Sequence, residues 1–301
     1  MLKPVLFSAA ALAALLLGGA WHASNQLLYP AHPCIPEHYV YCGTPAEAGL
    51  DYEGFRVQAA DGVDLEGWFI PAGTPERTIV FIHGHGGTLQ EGLRYGPALN
   101  QAGFNLAAFS LRGNLGSETP YTMGDRERLD ARAVVDHVID ERGATSVGVF
   151  GFSMGAVVAI GAMADDPRID AGIFNSPFAD LDRQLAHSIH AETGLPAFPL
   201  VPLVRWIGAL RSGADYDDAA AVANIGRIRQ RPIFLIHGRG DPIVPFELGQ
   251  LVFEASTAPK ESWFPSIDAH VYEWNADRAQ AESRVVDFFS RHLAPATRPS
   301  S

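Results

Sequence analysis

"SVGVFGFSMGAVVAIGAMA", residues 146–164, decides the architecture. Ser146 to Phe152 is an apolar run rich in valine and phenylalanine, as expected of a strand buried on both faces. Met154 to Ala164 is apolar again, at helical length. Between them Gly151-Phe152-Ser153-Met154-Gly155 sets one serine amid glycines, at the point where a strand hands over to a helix.

The same alternation extends in both directions. Strand-like runs occur at "TIVFIHG" (78–84), "FNLAAFSL" (104–111), "DAGIFNS" (170–176), "RPIFLIHG" (231–238) and "KESWFP" (260–265). Helical stretches fall over Leu89–Ala102, ended by Gly103, over Asp125–Arg142, ended by Gly143, and near 246–256 and 276–292. At the front, "GFRVQAADGVDLEGWFI" (54–70) holds two strands about Asp61-Gly62, a strong hairpin signal. Strands alternating with helices predict an α/β fold: a mostly parallel sheet covered on both faces, with antiparallel strands at one edge. Residues 179–230 break the rhythm. Their proline-rich "GLPAFPLVPLVRWIGAL" suits neither a regular strand nor a regular helix, so this segment is read as a small cap over the carboxyl edge of the sheet.

The 301 residues, 47% hydrophobic, suffice for one large domain, assigned to 51–294, with 295–301 as a disordered tail. A net charge of −12 argues against nucleic acid, which needs a basic face. Residues 1–23 read as a signal peptide or membrane anchor: Lys3 precedes an uncharged apolar run, and Gly18-Gly19-Ala20 offers small residues for cleavage. Residues 4–21 approach the length of a short membrane span, with Trp21 placed for the interface. Cleavage and retention both stay open, and either implies export: periplasmic, secreted, or anchored to the inner membrane. Residues 24–50 read as an irregular arm. They hold the only two cysteines, Cys34 and Cys42, a candidate disulfide in an oxidising compartment.

In such a sheet, ligands and chemistry gather where strands end. At those ends stand His83-Gly84-His85-Gly86-Gly87, Gly151 to Gly155, His237-Gly238-Arg239-Gly240-Asp241, and Ser266-Ile267-Asp268-Ala269-His270. A serine hydroxyl becomes a good nucleophile only beside a base, and the base needs a third group to orient it. Glycines at 151 and 155 relieve the tight turn, and Ser153, Asp241 and His270 follow in the order Ser…Asp…His. Asp268 is a rival to Asp241 but lies only two residues before His270. Asp180, the nearest carboxylate after Asn175-Ser176, falls in the cap. His83 and His237 are read as structural, Arg112 as a brace for its loop, and His187 and His190 as surface residues.

With "FIHGHGG", "SLRGNLGSE", "GFSMG", "HGRGDPIVP" and "DAH" in place, the chain resembles the α/β-hydrolase superfamily over roughly residues 50–293. It looks most like small bacterial serine esterases with an N-terminal export or anchor segment. The resemblance implies that Ser153 is the nucleophile, His270 the general base and acid, and Asp241 the acid that orients it. It also implies an oxyanion hole made by the backbone N–H groups of His85 and Met154. "SIDAHVYEW" departs from the pattern in lacking glycines before the histidine. The implied reaction is hydrolysis of a small-molecule ester or acyl substrate, with thioesters and small peptides as alternatives. No cofactor is expected, and no metal, since His83 and His85 lack a third ligand. "HGHGGT" has neither the G-x-G-x-x-G spacing nor the lysine of a phosphate-binding loop, which disfavours a nucleotide-binding protein. A non-catalytic relative is disfavoured by the presence of all three triad residues.

Overall fold

The computed structural model describes residues 2–31, 33–73, 76–114 and 119–293, with the side chains of the first helix from Ala11 onward. Leu115–Glu118, the end of the "SLRGNLGSE" motif, and the tail from 294 lie outside the described residues.

The chain opens with helices α1 (Leu2–Leu28) and α2 (Pro36–Tyr39), and then the strands β1 (Glu53–Gln58), β2 (Asp64–Ile70) and β3 (Arg77–Ile82). Next come α3 (Gly96–Gln101), β4 (Asn105–Phe109), α4 (Glu127–Asp140), β5 (Ser146–Phe152), α5 (Met154–Asp165) and β6 (Ile169–Asn175). The helices α6 (Leu181–Thr193), α7 (Ala197–Ser212) and α8 (Ala221–Asn224) precede β7 (Ile233–Ile236). The chain then forms α9 (Phe246–Ala255), β8 (Lys260–Trp263), α10 (Glu273–Ala276) and α11 (Arg278–His292).

The sheet runs β1-β2-β4-β3-β5-β6-β7-β8. β2 is antiparallel to β1 and β4, and the pairs from β4 to β8 are parallel. The pleat explains why the central strands are apolar throughout. On β3, Val80 and Ile82 join the core containing α4 and α5, whereas Ile79 and Phe81 join the core containing Leu99, Phe288 and Phe289 of α3 and α11. On β5, Val147 and Val149 go one way and Phe150 and Phe152 the other. Two faces buried by helices leave no room for the polar half of an alternating pattern. The strand order reverses between β3 and β5, and the carboxyl ends beside such a reversal are where sheets of this kind place their ligands. The loops carrying His85 and Ser153 both begin there.

Three sequence expectations need correction. Residues 24–28 are not irregular, because α1 continues to Leu28, and the arm also contains α2 and a 3-10 turn at Pro45–Ala48. Ala20, Ser24, Leu27 and Leu28 are buried, so this end of α1 has a packed face that a reading of residues 1–23 as a separate segment hides. The 89–102 stretch is split into a 3-10 turn, Glu91–Tyr95, and α3, where Gly96 and Pro97 interrupt one continuous helix. The proline-rich cap is helical. Phe198 has extended backbone, so the regular part of α7 starts at Pro199, and Pro202 lies four residues after Phe198, where proline removes only the first bond of the regular helix.

Candidate active site

Ser153 sits between the end of β5 and the first residue of α5, with φ 54° and ψ −119°. A non-glycine residue at positive φ is strained and persists only where its surroundings hold it. Here the Ser153 N–H donates to the carbonyl of Asn175 at 2.8 Å, which ties the turn to the end of β6. The flanking glycines are required by contact. A Cβ on Gly151 would stand 2.2 Å from the Gly155 carbonyl oxygen, and one on Gly155 would stand 2.1 Å from that of Ile82. Strand, helix and neighbouring strand meet backbone to backbone at those two positions.

Asp241 and His270 are brought together. His270 Nδ1 lies 2.6 Å from Asp241 Oδ2, and the Asp241 carboxylate is wholly buried. The other oxygen, Oδ1, accepts the N–H groups of Ile243 and Val244, both at 2.9 Å. Burial alone would raise the Asp241 carboxyl. The hydrogen bond from His270 and the two backbone donors outweigh it and hold the group below the usual aspartate range. The ionised Asp241 accepts Nδ1–H, which leaves His270 Nε2 as the basic nitrogen. Asp268 is exposed and turned against Gly240, where an added Cβ would run into its Oδ1.

Met154 opens α5, so its N–H has no acceptor within the helix and belongs to the positive end of the helix dipole. Gly84, in the loop after β3, abuts Ser153, so that a Cβ built there would be 3.2 Å from the serine Cβ. His85 follows. Its Nε2 lies 2.9 Å from the Leu27 carbonyl and the ring meets Tyr121 edge-on. The end of α1 thus docks on the loop that flanks the nucleophile, and the Tyr121 N–H bonds to the Leu28 carbonyl.

His83 accepts the Leu111 N–H at Nε2 (3.0 Å) and faces the Gly84 carbonyl through Nδ1 (2.8 Å), which fixes its tautomer as Nδ1–H. His237 is enclosed, and Nε2 lies 2.9 Å from the Val244 carbonyl. Burial lowers its pKa against the pull of that carbonyl and of Asp241, keeping it neutral. Arg112 forks onto Asp61 (2.5 Å) and Asp130 (2.6 Å), tying the hairpin turn to α4. Burial works against its charge, yet these two carboxylates hold the guanidinium above its ordinary value. His187 is not a plain surface residue. Its Nε2 lies 3.0 Å from the Pro242 carbonyl, and Gln184 Nε2 donates to that of Ile243, so α6 grips the loop carrying Asp241. Cys34 and Cys42 are joined by a disulfide, with Cα atoms 5.6 Å apart.

Two buried carboxyls behind the site carry no signal in the sequence. Glu91 Oε2 accepts the Gly84 N–H at 2.7 Å, and Glu273 Oε2 accepts Asn175 Nδ2 at 2.9 Å. Burial raises both carboxyls. In Glu91 it is outweighed by His38, Arg94 and the Gly84 N–H, and in Glu273 it prevails. Charged residues in short helical turns look solvated in one dimension, so only the fold identifies them. Among the described residues no group of three His, Cys, Asp or Glu side chains could hold a metal ion.

The sheet order, the strained serine turn and the Asp241–His270 pair define the α/β-hydrolase fold. Comparison with known proteins agrees. Residues 73–211 match the family described as "Serine aminopeptidase, S33". The uncharacterized protein YqkD of Bacillus subtilis is 28% identical over 247 residues, covering 79% of each chain. The Pyrococcus furiosus esterase Pf2001 superimposes with a TM-score of 0.71 at 29% identity, covering 88% of this chain and 98% of the esterase. The Pyrococcus horikoshii acylaminoacyl peptidase shares the fold, with a TM-score of 0.62 at 17% identity, over 84% of this chain and 43% of that one. These similarities support the α/β-hydrolase superfamily and a hydrolytic enzyme.

Proposed function

We propose that the protein is a serine carboxylesterase acting on small or acyl-chain esters through an acyl-enzyme. The 2.6 Å Asp241–His270 contact and the strained Ser153 turn, each in a loop that follows a parallel strand, carry this reading. His270 Nε2 takes the hydroxyl proton as Ser153 Oγ attacks the ester carbonyl, and then delivers it to the leaving alcohol. Water repeats the cycle in reverse on the acyl-enzyme. Asp241, held ionised, fixes the ring and balances the imidazolium. The N–H groups of Met154 and His85 receive the oxyanion, a role in which one donor is worth about a hundred- to a thousand-fold in rate.

The cap favours apolar substrates. Val201, Val204 and Ile207 are buried and fasten α7 to the core, whereas Leu195, Phe198 and Trp206 remain exposed. An ester specificity also fits the similarity to the Pyrococcus furiosus esterase. Small peptides are the second reading, favoured by the aminopeptidase description of the matching family. Initial rates on p-nitrophenyl esters of graded chain length, with thioester and aminoacyl-anilide controls, test the choice. Turnover of esters at least tenfold above both controls is expected, and a preference for the anilides overturns it.

Export belongs to the same proposal, with residues 4–21 as anchor or signal. Among the described residues no single helix is long and apolar enough to cross a membrane. The support is the apolar N-terminal sequence and the bridged cysteines beyond it. The buried end of α1 implies that residues from about Trp21 onward stay with the mature enzyme. Mass spectrometry of unreduced protein from the cell envelope should find the bridge intact, and full-length reduced protein confined to the cytosol overturns export.

A further inference from the structure

Arg94, in the 3-10 turn Glu91–Tyr95, is 1% exposed. Nη1 donates to the His38 carbonyl at 3.0 Å and Nη2 to the Val271 carbonyl at 3.2 Å. The guanidinium lies 5.3 Å from the ring centre of Phe152, the residue before Ser153. Among the described residues no carboxylate pairs with it directly, and Nε has no acceptor. A buried cation whose direct partners are carbonyls, with Glu91 and Glu273 acting on it only through space, is an expensive arrangement for stability. Its location suggests what it accomplishes.

Val271 directly follows His270 and holds φ at 53°, a rare conformation for a β-branched residue. Such a backbone persists only where neighbours over-determine it. Its carbonyl is one of the two that Arg94 binds. We infer that Arg94 is a positioning residue for His270, holding the Val271 peptide so that the imidazole stays in line between Asp241 and Ser153. The inference rests on the reading of His270 as the general base.

The second bond ties this arrangement to the loop closed by the Cys34–Cys42 bridge. The Glu37 carbonyl of that loop accepts Asn275 Nδ2 at 3.0 Å and the Tyr272 hydroxyl at 3.4 Å, and the His38 ring stacks on Tyr272. On its other side His38 Nε2 lies 3.7 Å from Glu91, the acceptor of the Gly84 N–H. Arg94 thus joins the base loop to the arm, and the arm joins both to the loop beside the nucleophile.

The test compares Arg94→Lys and Arg94→Met in the full chain with the parent enzyme, kcat being expressed per site titrated with a fluorophosphonate. Lysine keeps the charge and the stem but cannot span two carbonyls. Because a displacement of about 1 Å can cost about a hundredfold, kcat should fall about tenfold in Arg94→Lys and further in Arg94→Met. KM should stay within about threefold. A purely structural role lowers the number of titrated sites but leaves kcat per site unchanged, and that result overturns the inference. If Arg94→Met does not fold, Arg94→Lys decides alone. Ser153→Ala runs in parallel. An active Ser153→Ala enzyme overturns the triad itself, whereas an inactive one beside a fully active Arg94→Lys overturns only the role of Arg94.

Discussion

Asp241→Asn isolates the group on which the proposed chemistry depends. In the native site Oδ1 accepts two backbone N–H groups and Oδ2 faces His270 Nδ1 at 2.6 Å. An asparagine has only one oxygen to offer. Turned toward Ile243 and Val244, it keeps both backbone bonds and presents its NH2 to His270 Nδ1. The imidazole must then accept at Nδ1 and carry its proton on Nε2, the nitrogen that should deprotonate Ser153. The geometry survives, but the wrong tautomer is selected, for which a loss of about 10⁴-fold in kcat is expected, or about 5.4 kcal/mol of barrier. KM on a p-nitrophenyl ester should change little, since the side chain touches no substrate. Circular dichroism and thermal melting establish that the variant is folded. Asp268→Asn is the control and should stay within about threefold of the parent, because an exposed side chain turned against Gly240 has no part in the pair. An Asp241→Asn enzyme within tenfold of the parent, or a collapse in Asp268→Asn, refutes the reasoning.

Two further outcomes follow from the same geometry. Gly155→Ala should prevent folding or remove activity, since its Cβ would meet the Ile82 carbonyl oxygen at 2.1 Å; soluble, fully active protein on gel filtration and ester assay contradicts this. Asp241 also carries a stability term that depends on pH. Its folded pKa is depressed, so the contribution is complete above the ordinary aspartate range near about pH 4 and is lost as pH falls through the folded value. The gap in melting temperature between parent and Asp241→Asn should therefore shift in favour of the variant on acidification below about pH 4. A gap independent of pH from neutrality to pH 3 contradicts the assignment.

The central strands were legible in sequence because burial on both faces leaves continuous apolar runs, as in "TIVFI" and "SVGVF", whereas the half-exposed β1 and β2 were legible from the turn signal at Asp61-Gly62. The site was legible because its residues stand at strand ends with local signatures. Gly151 and Gly155 are there for contacts that no side chain could survive, and that requirement shows in the pattern. The cap was misread because proline near the start of α7 looks the same in sequence as proline that breaks a helix. The docking of α1 was missed because Leu27 and Leu28 act through carbonyls, which carry no residue identity. Arg94 and Glu91 were missed for a related reason. Their partners are a carbonyl more than 170 residues away and a glycine N–H, and nothing in a linear chain sets a buried charge apart from a solvated one.

The central claim is that Ser153 is acylated with His270 as its base. Intact mass spectrometry of the enzyme treated with a fluorophosphonate, followed by peptide mapping, tests it most directly. One adduct per chain on the peptide containing Ser153 is predicted, absent in Ser153→Ala and formed far more slowly in His270→Ala. Labelling of Ser153→Ala at the parent rate, or an adduct on another residue, contradicts it.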